Sequence, residues 1–567
     1  MRIRIGLHWN RQATYLVLFA ISWIIPNLAL VCIHFTWFKL IYNLLFPFLL
    51  SMALISVFRK PGIMMLVLLP MLIIHAYEIV FLYLFREGVI TTDMFLNTVT
   101  TDVEESTELL GNIMPSIVIV CVLYLPILTL SIISCCMKMR LHAGFRRQFS
   151  LYSGVASLGL LGIILIAGIR LDKQVYPLNV LYNLNFAIDK WYREKRYPLT
   201  SAGFRFEAVK SQKAAHREVY VLILGESARA MSWSIYGYEK ATNPMLQPLP
   251  GIIPFSDITS ESNATQKSVP LILSSADAST ARWLYTRKSI LSLFNEAGFR
   301  TWFITNQVAN QQLIGAYSRE AEKWIDINKG TDKKKVVGQF DANLIPHFKE
   351  ALDADSSDAF IVLHMHGSHF KYTNRYPQDK NYFQPDHPLA IKQENKKELI
   401  NAYDNSIRYS DSILATILNM LEQRHLCAGV LYVSDHGENL MDDDRHLFLH
   451  STPFPTFYEL RIPLFLWFSS TYRSAFPEKV ARAVSWQYTP ADTRIVFHTM
   501  AEVAGISSPY IITKQSVVST AFEPEISRNI LGDHEEPEEY TRYFKSEDYE
   551  ALRREDSILS LRRHPKQ

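Results

Sequence analysis

Cysteine is scarce where it would matter most. Of five cysteines in 567 residues, Cys32, Cys121, Cys135 and Cys136 lie in an apolar first third, and only Cys427 falls in the polar remainder. No disulfide framework can form within that remainder. An excess of one charge is also lacking: 58 lysines and arginines against 55 acids leave a net charge of +3, with no case for nucleic-acid binding. No P-loop and no dinucleotide-binding glycine pattern occurs, so nucleotide chemistry has no support. Gly225-Glu226-Ser227-Ala228-Arg229 carries arginine where a serine-hydrolase elbow has its second glycine, which argues against that chemistry. No internal repeat is visible.

What is present is unevenly spread. The chain is 49% apolar, and the apolar residues crowd its first third. Met1 to Gln12 is basic through Arg2, Arg4 and Arg11, and an almost uncharged run from Ala13 to Phe35 follows. That run is long enough to cross a bilayer and has no small-residue cleavage site, so it reads as a span rather than a removable leader. Leu40 to Phe58, Gly62 to Phe85, Ile113 to Met137 and Leu151 to Ile169 are four more spans. Arg59-Lys60 and the cluster Lys138, Arg140, Arg146 and Arg147 alternate with an acidic loop, Thr91 to Leu110, holding Asp93, Asp102, Glu104, Glu105 and Glu108. Short basic loops stay cytoplasmic, so five spans place everything after them on the outer side. His75 and Glu78, one turn apart in the third span, are either functional or close to the outer interface.

The fold class expected is α/β: a five-helix N-terminal membrane domain (1–170), then an outer α/β domain (214–522) with a mostly parallel sheet. Between them, 171–213 mixes aromatics with lysine and arginine, as a connector resting on lipid headgroups would. A charged tail, 523–567, reads as a loosely docked helix or as disordered.

The outer domain is organised by apolar runs of strand length that end in polar groups. Val219 to Leu224 delivers Gly225-Glu226-Ser227, and Arg300 to Thr305 delivers Asn306-Gln307. Ala359 to Leu363 delivers His364, His366 and His369, Gly429 to Val433 delivers Ser434-Asp435-His436-Gly437-Glu438, and Ile462 to Phe468 is a possible fifth strand. Such sheets gather their chemistry at the carboxyl ends of the strands. Asp435 and His436 there offer a hard oxygen and an imidazole to a divalent metal such as zinc, and Glu226 supplies a third ligand from another loop. The segment Ser262 to Pro270 offers a hydroxyl where a loop turns into a helix, a place that favours an anion. Ser227 is the rival nucleophile. His364, His366, His369, His446 and His450 bunch near strand ends, where imidazoles can bind a phosphoryl group, move a proton or take a second metal.

These residues resemble the phosphoethanolamine transferases of the Gram-negative envelope, within the alkaline phosphatase and sulfatase superfamily. Gly225 to Arg229, Tyr236-Gly237-Tyr238, Thr242-Asn243-Pro244, Ser262 to Pro270, His364 to His369 with Tyr372 and Arg375-Tyr376-Pro377, and Ser434 to Glu438 follow the family's motifs in order. So does Leu449-His450-Ser451-Thr452-Pro453, with serine replacing the usual glycine after His450. The resemblance covers nearly the whole chain.

That resemblance implies an alkaline-phosphatase-like outer domain in the periplasm, anchored in the bacterial inner membrane. It places the phosphoryl-carrying nucleophile at Thr265. Zinc would be held by Glu226, Thr265, Asp435 and His436, with His369 and His450 gripping the phosphate or acting as acid and base. One zinc is expected, and a second is possible. The implied donor is phosphatidylethanolamine, and the acceptor is lipopolysaccharide, at lipid A or a core sugar, or a periplasmic glucan. A glycerol-phosphate transferase or phosphodiesterase of the same superfamily and a non-catalytic membrane sensor are the alternatives. A sulfatase activity fits less well, because its nucleophile is usually made from a cysteine and none lies between Cys136 and Cys427.

Overall fold

The computed structural model describes residues 11–33, 35–86, 88–100, 103–307, 312–328, 339–524 and 527–563. Residues 1–10 of the basic leader and Asp102 of the acidic loop lie outside them. The chain divides into two compact units, residues 1–95 with 109–187, and residues 96–108 with 188–567.

The first unit is helical. Trp37–Val57, Ile113–Cys136 and Ala143–Ile166 are each long and apolar enough to cross a membrane, and two bent pairs complete the five expected spans if each pair is one crossing. Thr14–Trp23 and Ile25–Ile33 meet at 49°, Pro61–Val67 and Leu69–Phe85 at 63°. Both breaks have the same cause, Pro26 and Pro70 just past the bend, where the ring displaces the carbonyl four residues earlier. The region expected as a connector contains a 23-residue helix, Leu178–Thr200, and the unit boundary falls inside it.

The second unit is built on a seven-stranded sheet. In chain order its strands are β1 (Glu218–Gly225), β2 (Ile252–Phe255), β3 (Arg300–Thr305), β4 (Lys323–Asp326), β5 (Ala359–His364), β6 (Cys427–Ser434) and β7 (Leu464–Phe468). Their order across the sheet is β2, β7, β6, β1, β5, β3, β4. Only β7 runs against the others. Every residue of β1, β5, β6 and β7 is buried, which explains their unbroken apolar sequences: a sheet covered on both faces has no solvent side to alternate with. The edge strands β2 and β4 are short and half-buried, and neither stands out from the sequence.

The tail is packed rather than loose. It forms a hairpin, Asn529–Leu531 with Pro537–Glu539, and a helix, Ser546–Arg563. The fully buried Asp548 accepts two hydrogen bonds from the Arg445 guanidinium, at 2.6 and 2.9 Å, and one from the Phe457 amide. The high charge that made the segment look solvated is spent on such pairs. Removing one partner of a buried ion pair costs about 3–5 kcal/mol. Asp548→Ala should therefore lower the melting temperature measured in detergent by several degrees, whereas exchanging exposed Glu550 for alanine should leave it nearly unchanged.

Candidate active site

The register of the sheet sets the site. Gly225 at the end of β1 lies beside Ser434 at the end of β6, so Glu226 and Asp435 leave the sheet side by side. Asp435 Oδ1 accepts the Ser227 and His436 amides, at 3.1 and 2.8 Å. Its Oδ2 is buried with no hydrogen-bond partner among the described residues and lies 3.3 Å from His436 Nε2. The Gly437 carbonyl, 2.8 Å from His436 Nδ1, can only accept, so it fixes a proton on Nδ1 and turns Nε2 inward. Glu226 Oε1 is 3.3 Å from that nitrogen.

Thr265 begins the helix Thr265–Ile272. Its Oγ1 is 3.0 Å from His436 Nε2 and 3.3 Å from Glu226 Oε1. The four residues named from sequence therefore converge on one point. Two further groups close in from other loops. His369 Nδ1 is 2.6 Å from the Phe370 carbonyl, which leaves its Nε2 for the site, and His450 Nδ1 lies 3.0 Å from Glu438 Oε2. The rings of His436 and His450 are 4.0 Å apart and those of His369 and His450 6.0 Å.

Among the described residues, three sets of donor atoms lie close enough together to hold a metal ion: Glu226, Asp435 and His436; Glu226, His369 and His450; and His436, Glu438 and His450. The residues fit such an ion on their own chemistry. Burial, then the Glu226 charge, raises the Asp435 carboxyl above its usual range. Burial alone would lower His436, but Asp435 and Glu226 push it up to about 10. Burial would raise Glu226 too, yet His436 and the other two imidazoles hold it well below the usual carboxylate range. Two acids and an imidazole so arranged retain protons that a divalent cation can replace.

The histidine bunch is only partly drawn in. His364 Nδ1 faces Thr305 Oγ1 at 3.2 Å, and His366 Nδ1 accepts from Arg375 at 2.9 Å. Neither they nor His446 join a donor set among the described residues. Ser451, where the resembled family has glycine, sits at φ +59, and its amide and hydroxyl both donate to the Asn263 carbonyl.

Three supporting residues have no role assigned from sequence, and one of them, Asp341, does not stand out there at all. Gln307 Nε2 donates to Glu226 Oε2 and to the Met365 carbonyl, both at 2.8 Å. Asp341 accepts the His366 and Gly367 amides, each at 2.8 Å. Glu438 accepts from Tyr372 and faces His450. Gly367 must be glycine: its φ is +54, and a Cβ there would stand 2.7 Å from the Glu226 carbonyl oxygen. Gln307 follows β3 by two residues, so the strand-end rule that found Glu226 also points to it.

A sulfatase family model matches residues 218–506, from the first residue of β1 to beyond β7. The chain belongs to the sulfatase family. Two curated relatives carry a narrower description. Phosphoethanolamine transferase EptC of Escherichia coli (strain K12) is 26% identical over 324 residues, 55% of each chain. Phosphoethanolamine transferase CptA of Salmonella typhimurium is 27% identical over 313 residues, 53% of each. The chain thus spans about half the length of the curated relatives it matches. Among solved structures, this sulfatase-family chain resembles the C-terminal periplasmic domain of EptC from Escherichia coli in complex with Zn. The TM-score is 0.53 at 25% identity, over 59% of this chain and 95% of that one. It also matches the integral membrane protein lipooligosaccharide phosphoethanolamine transferase A from Neisseria meningitidis, with a TM-score of 0.71 at 22% identity, over 89% of this chain and 98% of that one. The latter match extends over residues of both the helical first unit and the α/β second unit.

Proposed function

We propose that the chain transfers phosphoethanolamine from phosphatidylethanolamine to an envelope glycan, lipopolysaccharide or a periplasmic glucan, through a phosphoethanolamine ester on Thr265. The carrying observation is the position of the Thr265 hydroxyl, within 3.3 Å of both Glu226 and His436 at the carboxyl edge of the sheet. The relatives are phosphoethanolamine transferases, and they suggest the transferred group.

Thr265 Oγ1 gives its proton to water and bonds to phosphorus, while the bond from phosphorus to the diacylglycerol oxygen breaks. His369 or His450 returns a proton to that oxygen. An acceptor hydroxyl then attacks the same phosphorus and restores Thr265, with the imidazoles acting in the reverse sense. Glu226, Asp435 and His436 would hold zinc with Thr265, and His369 and His450 would grip the phosphoryl oxygens or take a second ion. Bound zinc supplies the positive charge that lowers the hydroxyl's pKa and offsets charge developing on phosphorus-bound oxygens. The apolar first unit fits a lipid donor, with the second unit on the periplasmic side of the inner membrane.

The test is diacylglycerol release by purified full-length protein in nanodiscs. Release from phosphatidylethanolamine is expected. Release from phosphatidylglycerol instead would replace this reading with glycerol-phosphate transfer, and metal-loaded protein that cleaves neither would leave a binding role.

Zinc binding should also depend on pH with a definite sign. In the metal-free domain, the raised His436 contributes stability that is present below its unfolded value of 6.5 and is lost as pH climbs toward about 10. The raised Asp435 carboxyl likewise favours the protonated folded state at low pH and weakens it as pH rises. The depressed Glu226 is fully ionised throughout that window and contributes no slope. Zinc displaces the two retained protons, so its affinity should rise roughly ten- to hundredfold per pH unit from pH 6 to 8. The gain in melting temperature on adding zinc should be larger at pH 8 than at pH 6.

A further inference from the structure

The first unit buries a second group of polar side chains that the transfer reading leaves unused. His75, Glu78, Tyr176 and Asn27 are all 0% exposed, and Tyr124 is 4% exposed. Six of their atoms have no hydrogen-bond partner among the described residues: His75 Nδ1 and Nε2, Glu78 Oε1, Asn27 Oδ1 and the hydroxyls of Tyr124 and Tyr176. They come from three helices, Ile25–Ile33, Leu69–Phe85 and Val103–Cys136, and from the segment after the last span. Tyr176 lies against two of them. Its carbonyl accepts from Asn27 at 2.9 Å, its amide donates to Asn43, and its ring lies 5.5 Å from that of His75. The Trp23 ring is 5.1 Å from His75 on another side. Burial, then Glu78 and Tyr124, raises the Tyr176 phenol well above its usual value, so it stays a neutral hydroxyl.

An unpaired polar atom is costly in a membrane interior, and an unpaired carboxylate more so. Glu78 keeps one oxygen on the Ile90 amide, at 3.1 Å, and the other has no hydrogen-bond partner among the described residues. We propose that this cluster is a binding site for a primary ammonium group, received by Glu78 Oε1, Asn27 Oδ1 and the phenol oxygens. The inference rests on the transfer reading only in naming that ammonium as ethanolamine's. An R–NH3⁺ group brings one positive charge and three N–H donors to a site rich in acceptors. A quaternary ammonium brings the charge without the donors. Glu78 stands seven residues from the end of its helix at Phe85, roughly 10 Å along the axis at 1.5 Å per residue, a depth that a lipid headgroup can approach.

The test uses full-length protein in phosphatidylglycerol nanodiscs doped equally with phosphatidylethanolamine and phosphatidylcholine, with retained lipid read by native mass spectrometry. Wild type should retain phosphatidylethanolamine over phosphatidylcholine by about tenfold, the worth of one good charged contact. Glu78→Gln should bring that ratio near one, and Tyr176→Phe should reduce it part-way. If Glu78→Gln does not yield monodisperse protein, the double variant Tyr124→Phe with Tyr176→Phe carries the same expectation. Free ethanolamine titrated into discs lacking phosphatidylethanolamine should raise the melting temperature if the amine alone suffices. If it does not, while selective retention persists, the site reads the amine only on its lipid. An unchanged ratio in both variants would overturn the proposal and leave the cluster to buried water. Diacylglycerol release is followed in the same wild-type discs, so loss of transfer with selectivity intact would count against the transfer reading alone.

Discussion

Thr265→Asn should fold, keep its metal and transfer nothing, with activity down by at least about a thousandfold, as expected when a nucleophile is removed. The structure strengthens the case against both rivals. If Thr265 were only a helix cap, asparagine would replace it at little cost. The residue in the capping position is Ala264, however, and Thr265 is already helical with its hydroxyl turned to His436 and Glu226. If Ser227 were the nucleophile, its hydroxyl would need freedom to approach phosphorus. It is fully buried, held at φ +55, and donates to Glu226 Oε1 at 2.9 Å. Intact-mass measurement after incubation with phosphatidylethanolamine should show the adduct in wild type and in Ser227→Ala, a reduced amount in Thr265→Ser, and none in Thr265→Asn. An adduct that survives in Thr265→Asn would move the chemistry to Ser227.

The strand ends were readable because each of β1, β3, β5 and β6 is a run of apolar residues closed by polar ones, and burial on both faces leaves no other pattern available. Glu226, Asp435 and His436 follow from that alone. Thr265 does not: it comes from a loop whose approach to the sheet edge depends on long-range packing, and only the motif resemblance singled it out. That packing includes the tail. The Leu531 amide donates to the Glu261 carbonyl at 2.7 Å, and buried Lys267 donates to the Gly532 carbonyl at 2.9 Å, so the hairpin braces the loop before Thr265 and the helix after it. A charged composition concealed this, because pairing depends on partners more than a hundred residues away, as for Arg445 and Asp548. Histidine bunching marked the right neighbourhood but not the roles. His366 and His369 are three residues apart, yet one is held by Arg375 and the other turns to the site.

Glu226→Gln should weaken metal binding by more than about a hundredfold, beyond the range typical of losing a supporting contact. Glu226 belongs to two of the three donor sets, is 1% exposed, and is an anion because the surrounding imidazoles hold its pKa low. The amide keeps the shape and removes the charge. Asp435 and His436 would then face a cation with one negative charge fewer in a site where water cannot compensate. Gln307→Ala makes the informative contrast. It leaves every donor atom in place and removes only the hydrogen bonds from Gln307 Nε2 to Glu226 Oε2 and the Met365 carbonyl. Partners of this kind orient a ligand, and their loss typically costs ten- to a hundredfold in affinity. Metal content after dialysis against graded chelator should therefore fall in the order wild type, Gln307→Ala, Glu226→Gln, with transfer activity restored by added zinc in Gln307→Ala but not in Glu226→Gln. Retention of metal at wild-type strength in Glu226→Gln would remove Glu226 from the site. It would shift the ion toward His436, Glu438 and His450, a donor set that does not include it.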